Sequence, residues 1–392
     1  MNTIHKVLCF FASVASVASI VSCVPSSEPS SEPTSIEEVS QPTTIDDSLF
    51  EETYYSNVIL PFNNGQKDWT EVADPSFVKG DDGYYYIFVT GGGGGGKSYR
   101  SKDCILWELH SNNVIPRPTW GDWREGDRPI VWAPDVVKIK DKWIYYYSLS
   151  GLGNCHGIGY AVADEIAGPY EDKGKLVSVD ELNLQNAIDP AIVMDGDKIY
   201  MALGSFQGVD LVELTEDGMA LKGDSPEEWR ANKTLIAGIY GPWDGGQTEG
   251  HYFIQKDGFY YYFGSRGTCC VGLDSTYTVV VARSENVKGP YVDDKNRPMA
   301  NATDVGTVAL FAPKKEKPDV VGPGHCSVFQ DDAGDYWMIY HAYVKDDNYR
   351  TRHLMMDKIL WDDNGWPYIH GNKKFQASYR EELRGPRFFL DE

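Results

Sequence analysis

The chain has 392 residues, with 58 acidic against 36 basic side chains and a formal net charge of −22. That excess argues against nucleic acid or an anionic surface as the partner, and it suits a neutral ligand. Tyr (25), Trp (11) and Gly (39) are abundant and amphipathic helical stretches are scarce, which excludes a helical bundle and points to β-sheet.

In chain order the first element is a targeting segment. Lys6 precedes an apolar run from Val7 to Val21 that is too short to span a bilayer comfortably and ends in small residues. This predicts a secretory signal over residues 1–22 and export of the protein. Ile20-Val21-Ser22-Cys23 resembles a bacterial lipobox, which makes Cys23 the lipidated first mature residue and gives the protein its only link to a membrane. The alternative is an ordinary signal cleaved nearby, with Cys23 incidental. Residues 23–50 are mostly Pro, Ser, Thr and Glu, cannot bury enough surface to order themselves, and read as a disordered tether. Eight carboxylates and no base lie between 24 and 52, so the folded part from 51 to 392 keeps an acidic excess of its own. A monomer is the expected state.

The folded part repeats one sentence five times: DPSFVKGDDGYYYIFVTG at 74, APDVVKIKDKWIYYYSLS at 133, DPAIVMDGDKIYMALGSF at 189, EGHYFIQKDGFYYYFGSR at 249 and HCSVFQDDAGDYWMIYHAY at 325. Each copy is a strand, a polar turn and an aromatic strand. The starts lie 59, 56, 60 and 76 residues apart, room for a four-stranded sheet each time, which predicts an all-β, five-bladed propeller. SYRSKDCILWELH, GYAVADEIAGPYED, VDLVELTEDGMAL, TVVVARSENVKGPYVD and RHLMMDKILWDDNGWPYI fill the outer-strand slots, and residues 58–62 are expected to add a strand that closes the ring.

Five-fold repetition puts equivalent positions in a ring, so the residues opening each innermost strand converge on the central channel. They are Asp74, Ala133, Asp189, Glu249 and His325. Taken singly each has an ordinary explanation, since Asp-Pro is a common turn dipeptide and a histidine can sit hydrogen-bonded in a core. A turn does not predict acids at equivalent positions of three blades. Clustered carboxylates repel and lose solvation, and chemistry or a cation is the reason to keep them. Two carboxyl groups across an open cleft can hydrolyse a glycosidic bond, and a gap of about 6.5–9.5 Å leaves room for the water used with inversion.

Asp-Pro at 74, WAPDV at 132–136, AIDPAIV at 187–193 and Glu249 together resemble glycoside hydrolase family 43 over nearly all of residues 55–392. NAIDP at 186–190, GSF at 204–206, CCVGLDSTYTVVVARS at 269–284 and GPGH at 322–325 are most similar to its endo-1,5-α-L-arabinanases. The resemblance implies an inverting hydrolase of arabinan or an arabinoxylan-type polysaccharide, with Asp74 as general base, Glu249 as general acid and Asp189 tuning and orienting Glu249. It also implies His325 as the protein ligand of a hydrated Ca²⁺ ion in the channel, although a hard cation prefers oxygen. Trp132, Ser205 and Phe206 fall at strand ends facing the mouth, as sugar contacts or as packing between blades. Asp135, one step deeper than Ala133, either serves the substrate or ion water or has a structural role.

Ala73, Gln207 and the His251 of GHY depart from the arabinanase pattern at positions expected to border the sugar-binding surface. The run Gly91–Gly96 lacks the Lys-Ser/Thr and helix of a phosphate loop and reads as a flexible rim loop. Cys104, Cys155, Cys269, Cys270 and Cys326 show no metal spacing and dictate no pairing, and the adjacent Cys269 and Cys270 read as packed small residues. Two rivals remain: an exo-acting α-L-arabinofuranosidase or β-xylosidase of the same family, and a non-catalytic glycan-binding lipoprotein.

Overall fold

The computed structural model describes residues 47–63, 66–121, 129–151, 154–241 and 248–389. The signal segment, Cys23 and most of the tether lie outside the described residues.

The five repeats fold as expected into five antiparallel blades. Their inner strands are Ser76–Lys79, Ile130–Ile139, Ala191–Asp195, Thr248–Lys256 and Val320–Gln330. Each pairs with the aromatic strand that follows it, namely Tyr85–Val89, Lys142–Gly151, Lys198–Leu203, Phe259–Arg266 and Tyr336–Val344. Two further strands complete every blade, and blade one carries a short outer hairpin in addition. The inner strands touch in cyclic order and blade five meets blade one again, so the sheet array closes on itself.

The aromatic strands explain the stacking. Tyr85, Tyr86, Ile87, Phe88 and Val89 are all buried, because alternate side chains enter the gaps on the two faces of the blade. Five large apolar clusters result among the described residues, one between each pair of neighbouring blades. Tight turns hold the hairpins: Asp257 and Gly258 both adopt positive φ (50° and 80°), as a two-residue type I′ turn requires.

Closure differs from expectation. Residues 58–62 add no strand to blade five, whose outer slot is filled by Pro367–Ile369. The segment instead crosses between blades, donating from Ile59 N–H to the Leu354 carbonyl at 3.0 Å, and then runs as Phe62–Asn63 parallel to the outer strand Glu108–Ser111 of blade one. A two-stranded ribbon, Tyr54–Tyr55 with Leu383–Arg384, ties the two ends of the domain together. Phe50 is buried, bridges Phe389 and stacks on its ring at 5.1 Å.

Asn57 is the buried bolt of this closure. Its Nδ2 donates to the Met356 carbonyl at 2.8 Å and to Ser378 Oγ at 2.9 Å, while its Oδ1 accepts from Met356 N–H at 3.0 Å. Asn57→Ala would leave those buried partners unsatisfied, and a destabilisation of about 3 kcal/mol is expected by urea unfolding. A change within experimental error would show that the ribbon alone holds the ring.

Candidate active site

The inner strands depart from regular β conformation at or near their mouth ends. Asp74, Ala133, Asp189 and His325 have φ of 57°, 35°, 56° and 48°, and Gly250, directly after Glu249, has 59°. Left-handed backbone is costly for residues with a Cβ, and here it re-aims one side chain per blade at the ring's mouth. A Cβ on Gly250 would also stand 2.9 Å from His325 Cγ, so glycine is required there.

A polar side chain at the end of one blade's second strand reaches the start of the next blade's inner strand. Thr90 Oγ1 accepts from Ala133 N–H at 2.8 Å, Ser148 Oγ from Asp189 N–H at 2.9 Å, Ser265 Oγ from His325 N–H at 2.7 Å, and His341 Nδ1 from Asp74 N–H at 3.1 Å. In the remaining place Ser205 Oγ donates to Glu249 Oε2. Sequence reading missed Thr90, Ser148, Ser265 and His341, yet the repeat carries a signal for them. The separations 74 to 90, 189 to 205, 249 to 265 and 325 to 341 are identical, and 133 to 148 is one shorter.

The three acids share one electrostatic site and are pushed apart within it. Burial alone would raise Asp74, but the charges of His325 and Arg352, with a hydrogen bond from His325, hold it well below the usual carboxylate range. Its Oδ1 lies 3.2 Å from His325 Nδ1, 3.3 Å from His341 Nδ1 and 3.5 Å from Arg352 Nη1, while Thr90 Oγ1 donates to Oδ2. Glu249 moves the other way: burial first, then the negative charge of Asp189, raise it well above an ordinary glutamate, against the hydrogen bond from Ser205. Asp189 is itself raised by burial, and its Oδ2 accepts from Gly250 N–H at 2.8 Å, which joins it to the backbone beside Glu249. One carboxyl is therefore held ionised and another held protonated in the same hollow.

Only one of the two imidazoles at Asp74 is charged. His325 is raised to about 9: burial opposes the charge, but the anions of Asp74 and Asp189 outweigh it. His341 is lowered to about 4, chiefly by burial, and its Nδ1 accepts from Asp74 N–H, which requires that nitrogen to be unprotonated. Arg352 had no signal in the repeat. Its Nε is clamped by Glu71 Oε1 at 2.8 Å and it comes from the third strand of blade five.

Several expected contacts move. Asp135 accepts from Ser76 Oγ of blade one at 3.0 Å and from Ile192 N–H of blade three at 2.8 Å, so both its oxygens tie blades together. Ser205 is fully buried and addresses Glu249, not a sugar. Trp132 is 38% exposed beside the ring, and Phe206 is half-buried in left-handed conformation. Ala73 and His251 are buried, as Asp74 and Glu249 beside them are. His251 bolts the GSF turn to blade four through the Gly204 carbonyl at 2.8 Å, and burial keeps it neutral with a pKa near 3. The glycine run is not a loose loop: its backbone bonds to Asn112, Val114, Ile115 and Val131, and a Cβ on Gly95 would stand 1.8 Å from the Ile115 carbonyl oxygen. Cys269 and Cys270 form a disulfide with each other, while Cys104 and Cys326 are buried thiols.

Residues 69–367 match the family described as Glycosyl hydrolases family 43. The chain belongs to that family. Among family 43 relatives, it is 34% identical to the extracellular exo-α-(1→5)-L-arabinofuranosidase of Cellvibrio japonicus over 69% of this chain and 79% of that protein. It is 29% identical to the extracellular endo-α-(1→5)-L-arabinanase 1 of Bacillus subtilis, covering 76% and 87%. Among solved structures, the Cellvibrio cellulosa α-L-arabinanase complexed with arabinohexaose superposes with a TM-score of 0.66 at 31% identity, covering 77% of this chain and 96% of that one. The endo-arabinanase of Bacillus licheniformis gives 0.63 at 31%, covering 78% and 99%.

Asp189→Asn deletes a like charge beside Glu249, so the Glu249 carboxyl is expected to ionise at lower pH, by about one unit. Carbon NMR titration of labelled glutamate carboxyls in the two proteins measures this. An unmoved Glu249 titration would show that desolvation alone holds its proton.

Proposed function

We propose that the protein is an exported hydrolase that cleaves α-1,5-linked L-arabinan within the chain, with inversion at the anomeric carbon. The observation that carries the reading is the opposed electrostatics of one buried cluster, in which Asp74 is kept ionised and Glu249 protonated. The family and the arabinan-acting relatives on both sides of the endo/exo divide support the substrate class. Arabinoxylan-type chains are the second candidate.

In this reading Glu249 gives its proton to the departing glycosidic oxygen while Asp74 takes one from the water that attacks the anomeric carbon from the opposite face. The bond to the leaving sugar breaks as the bond to water forms, and the product carries the inverted configuration. Asp189 keeps Glu249 protonated by like charge until the leaving oxygen needs the proton, and through Gly250 N–H it fixes the backbone that aims Glu249. His325 and Arg352 keep Asp74 anionic, and Ser205 holds the Glu249 carboxyl in one orientation. Trp132 and Phe206 offer apolar faces to the sugar ring.

A calcium ion in the channel remains part of the proposal. Two of the three buried carboxyls around His325 have raised pKa values, a field that a cation would relieve. No group of three or more His, Cys, Asp or Glu among the described residues is arranged as a cage, so His325 and water would form the shell. His325 would have to give up its proton to bind. The ion would supply positive charge to the acids; no proton step passes through it.

The relatives' names support export, and anchoring through a lipid on Cys23 is our proposal for how the protein stays at the cell surface. Exo release of single arabinose units is the second reading, favoured by the identity to the Cellvibrio exo-enzyme.

Sizing the products from debranched linear arabinan beside xylan tests the substrate: oligomers are expected from arabinan, while monosaccharide alone would mean exo action and no release would sink the arabinan reading. Glu249→Gln is expected to lower kcat by at least about a thousandfold without weakening binding, and a persisting rate would remove Glu249 from the acid role. Chelation is expected to lower the thermal midpoint and added calcium to restore it. An unchanged midpoint, with no stoichiometric calcium by elemental analysis, would remove the ion.

A further inference from the structure

The Cys269–Cys270 disulfide sits in the loop between the second and third strands of blade four, at the end where Thr248 pairs with Arg266 and Glu249 with Ser265. Cross-linking chain neighbours closes almost no loop and so constrains the unfolded chain very little, which leaves its contribution to global stability small. Its surroundings suggest another use. Cys270 is exposed, and the next apolar side chains, Val271 and Leu273, are 50% and 44% exposed.

That apolar tip is held firmly although it is not buried. Val271 N–H donates to Ser275 Oγ at 3.1 Å, Ser275 N–H to the Gly272 carbonyl at 3.0 Å, and Thr276 N–H to the Thr268 carbonyl at 2.8 Å. The disulfide next to it abuts the reaction centre. Arg352 Nη1 lies 3.5 Å from Cys270 Sγ and 3.5 Å from Asp74 Oδ1, so the sulfur is no further than about 7 Å from the carboxylate, within the span of one sugar residue. A molecule seated at Asp74 on that side has the Cys270 sulfur within reach, with the guanidinium between sulfur and carboxylate.

We propose that the Cys269–Cys270 disulfide, with Val271 and Leu273, is a sugar-binding wall of the active-site mouth. It takes the C–H face of the pentose residue held beside Asp74. The inference rests on the arabinan reading and deepens it. A disulfide is polarisable and poor in hydrogen-bonding groups, so it packs on ring carbons as a thioether does, while Arg352 at its edge supplies donors for ring hydroxyls. Linking the two cysteines removes freedom that the loop would otherwise lose on binding, a saving in ordering cost at an exposed site.

Titration of arabinohexaose into Glu249→Gln protein, by calorimetry, tests the wall without turnover. Two variants in that background are compared: Cys269→Ser with Cys270→Ser, and Val271→Ser with Leu273→Ser, which keeps the disulfide. Both are expected to weaken binding about tenfold, with the thermal midpoint of the second within a degree or two of its parent. Unchanged affinity in the Val271/Leu273 variant overturns the proposal, even if the cysteine variant misfolds. A drop in kcat without loss of affinity, measured with Glu249 restored, overturns it too, because the disulfide would then only prop Arg352. If the Glu249→Gln protein binds xylohexaose and not arabinohexaose, the arabinan reading falls and this inference with it. Weaker affinity in the wall variants alone supports the wall.

Discussion

The structure depends on a hand-over of backbone amides around the ring. Every inner strand carries a kink into left-handed backbone at or near its mouth end, and a kinked amide cannot find its partner within its own ladder. The neighbouring blade supplies one, through Thr90, Ser148, Ser265 or His341. An unsatisfied buried amide would cost about 1–3 kcal/mol at each place. The hydrogen bonds that join neighbouring blades at the mouth and the contacts that aim the site residues are thus the same set.

The exception is informative. In blade three the corresponding hydroxyl, Ser205, addresses the Glu249 carboxyl instead of an amide. The blade-four kink falls one residue later, at Gly250, whose amide turns to Asp189. One place in the symmetric scheme has been diverted from holding blades together to holding a proton donor in place. Asp135 shows the reverse: a carboxylate one step from the mouth spends both oxygens on neighbouring blades.

Gathering three buried acids is unfavourable, and the site resolves it by unequal compensation. Asp74 receives a charged imidazole, a guanidinium and a hydroxyl, while Glu249 receives one hydroxyl and a like-charged neighbour. Like groups in the sequence become opposite chemistry in space, because desolvation is shared but the cations stand against Asp74. His325 and His341 divide in the same way, the more deeply buried ring staying neutral.

Much of this was legible in the linear chain. The repeat, its spacing and the acids at its equivalent positions settled five blades and a ring of carboxylates, because period-two strands and polar turns are local properties and rotational symmetry converts spacing into position. The capping residues were legible too, at a constant offset within each repeat. Other features had no local signature. Arg352 and Glu71 lie outside the repeat, and which carboxyl receives the cations follows from which strands end side by side. The six glycines read as loose and are packed, because burial depends on what neighbouring segments place against them. The pairing of Cys269 with Cys270 and its contact with Arg352 follow from a loop conformation that adjacency alone does not dictate. The chain by itself determined the kind of residue at each place in the ring; tertiary structure alone decided its charge and its partners, because those depend on distance, desolvation and neighbours contributed by other blades.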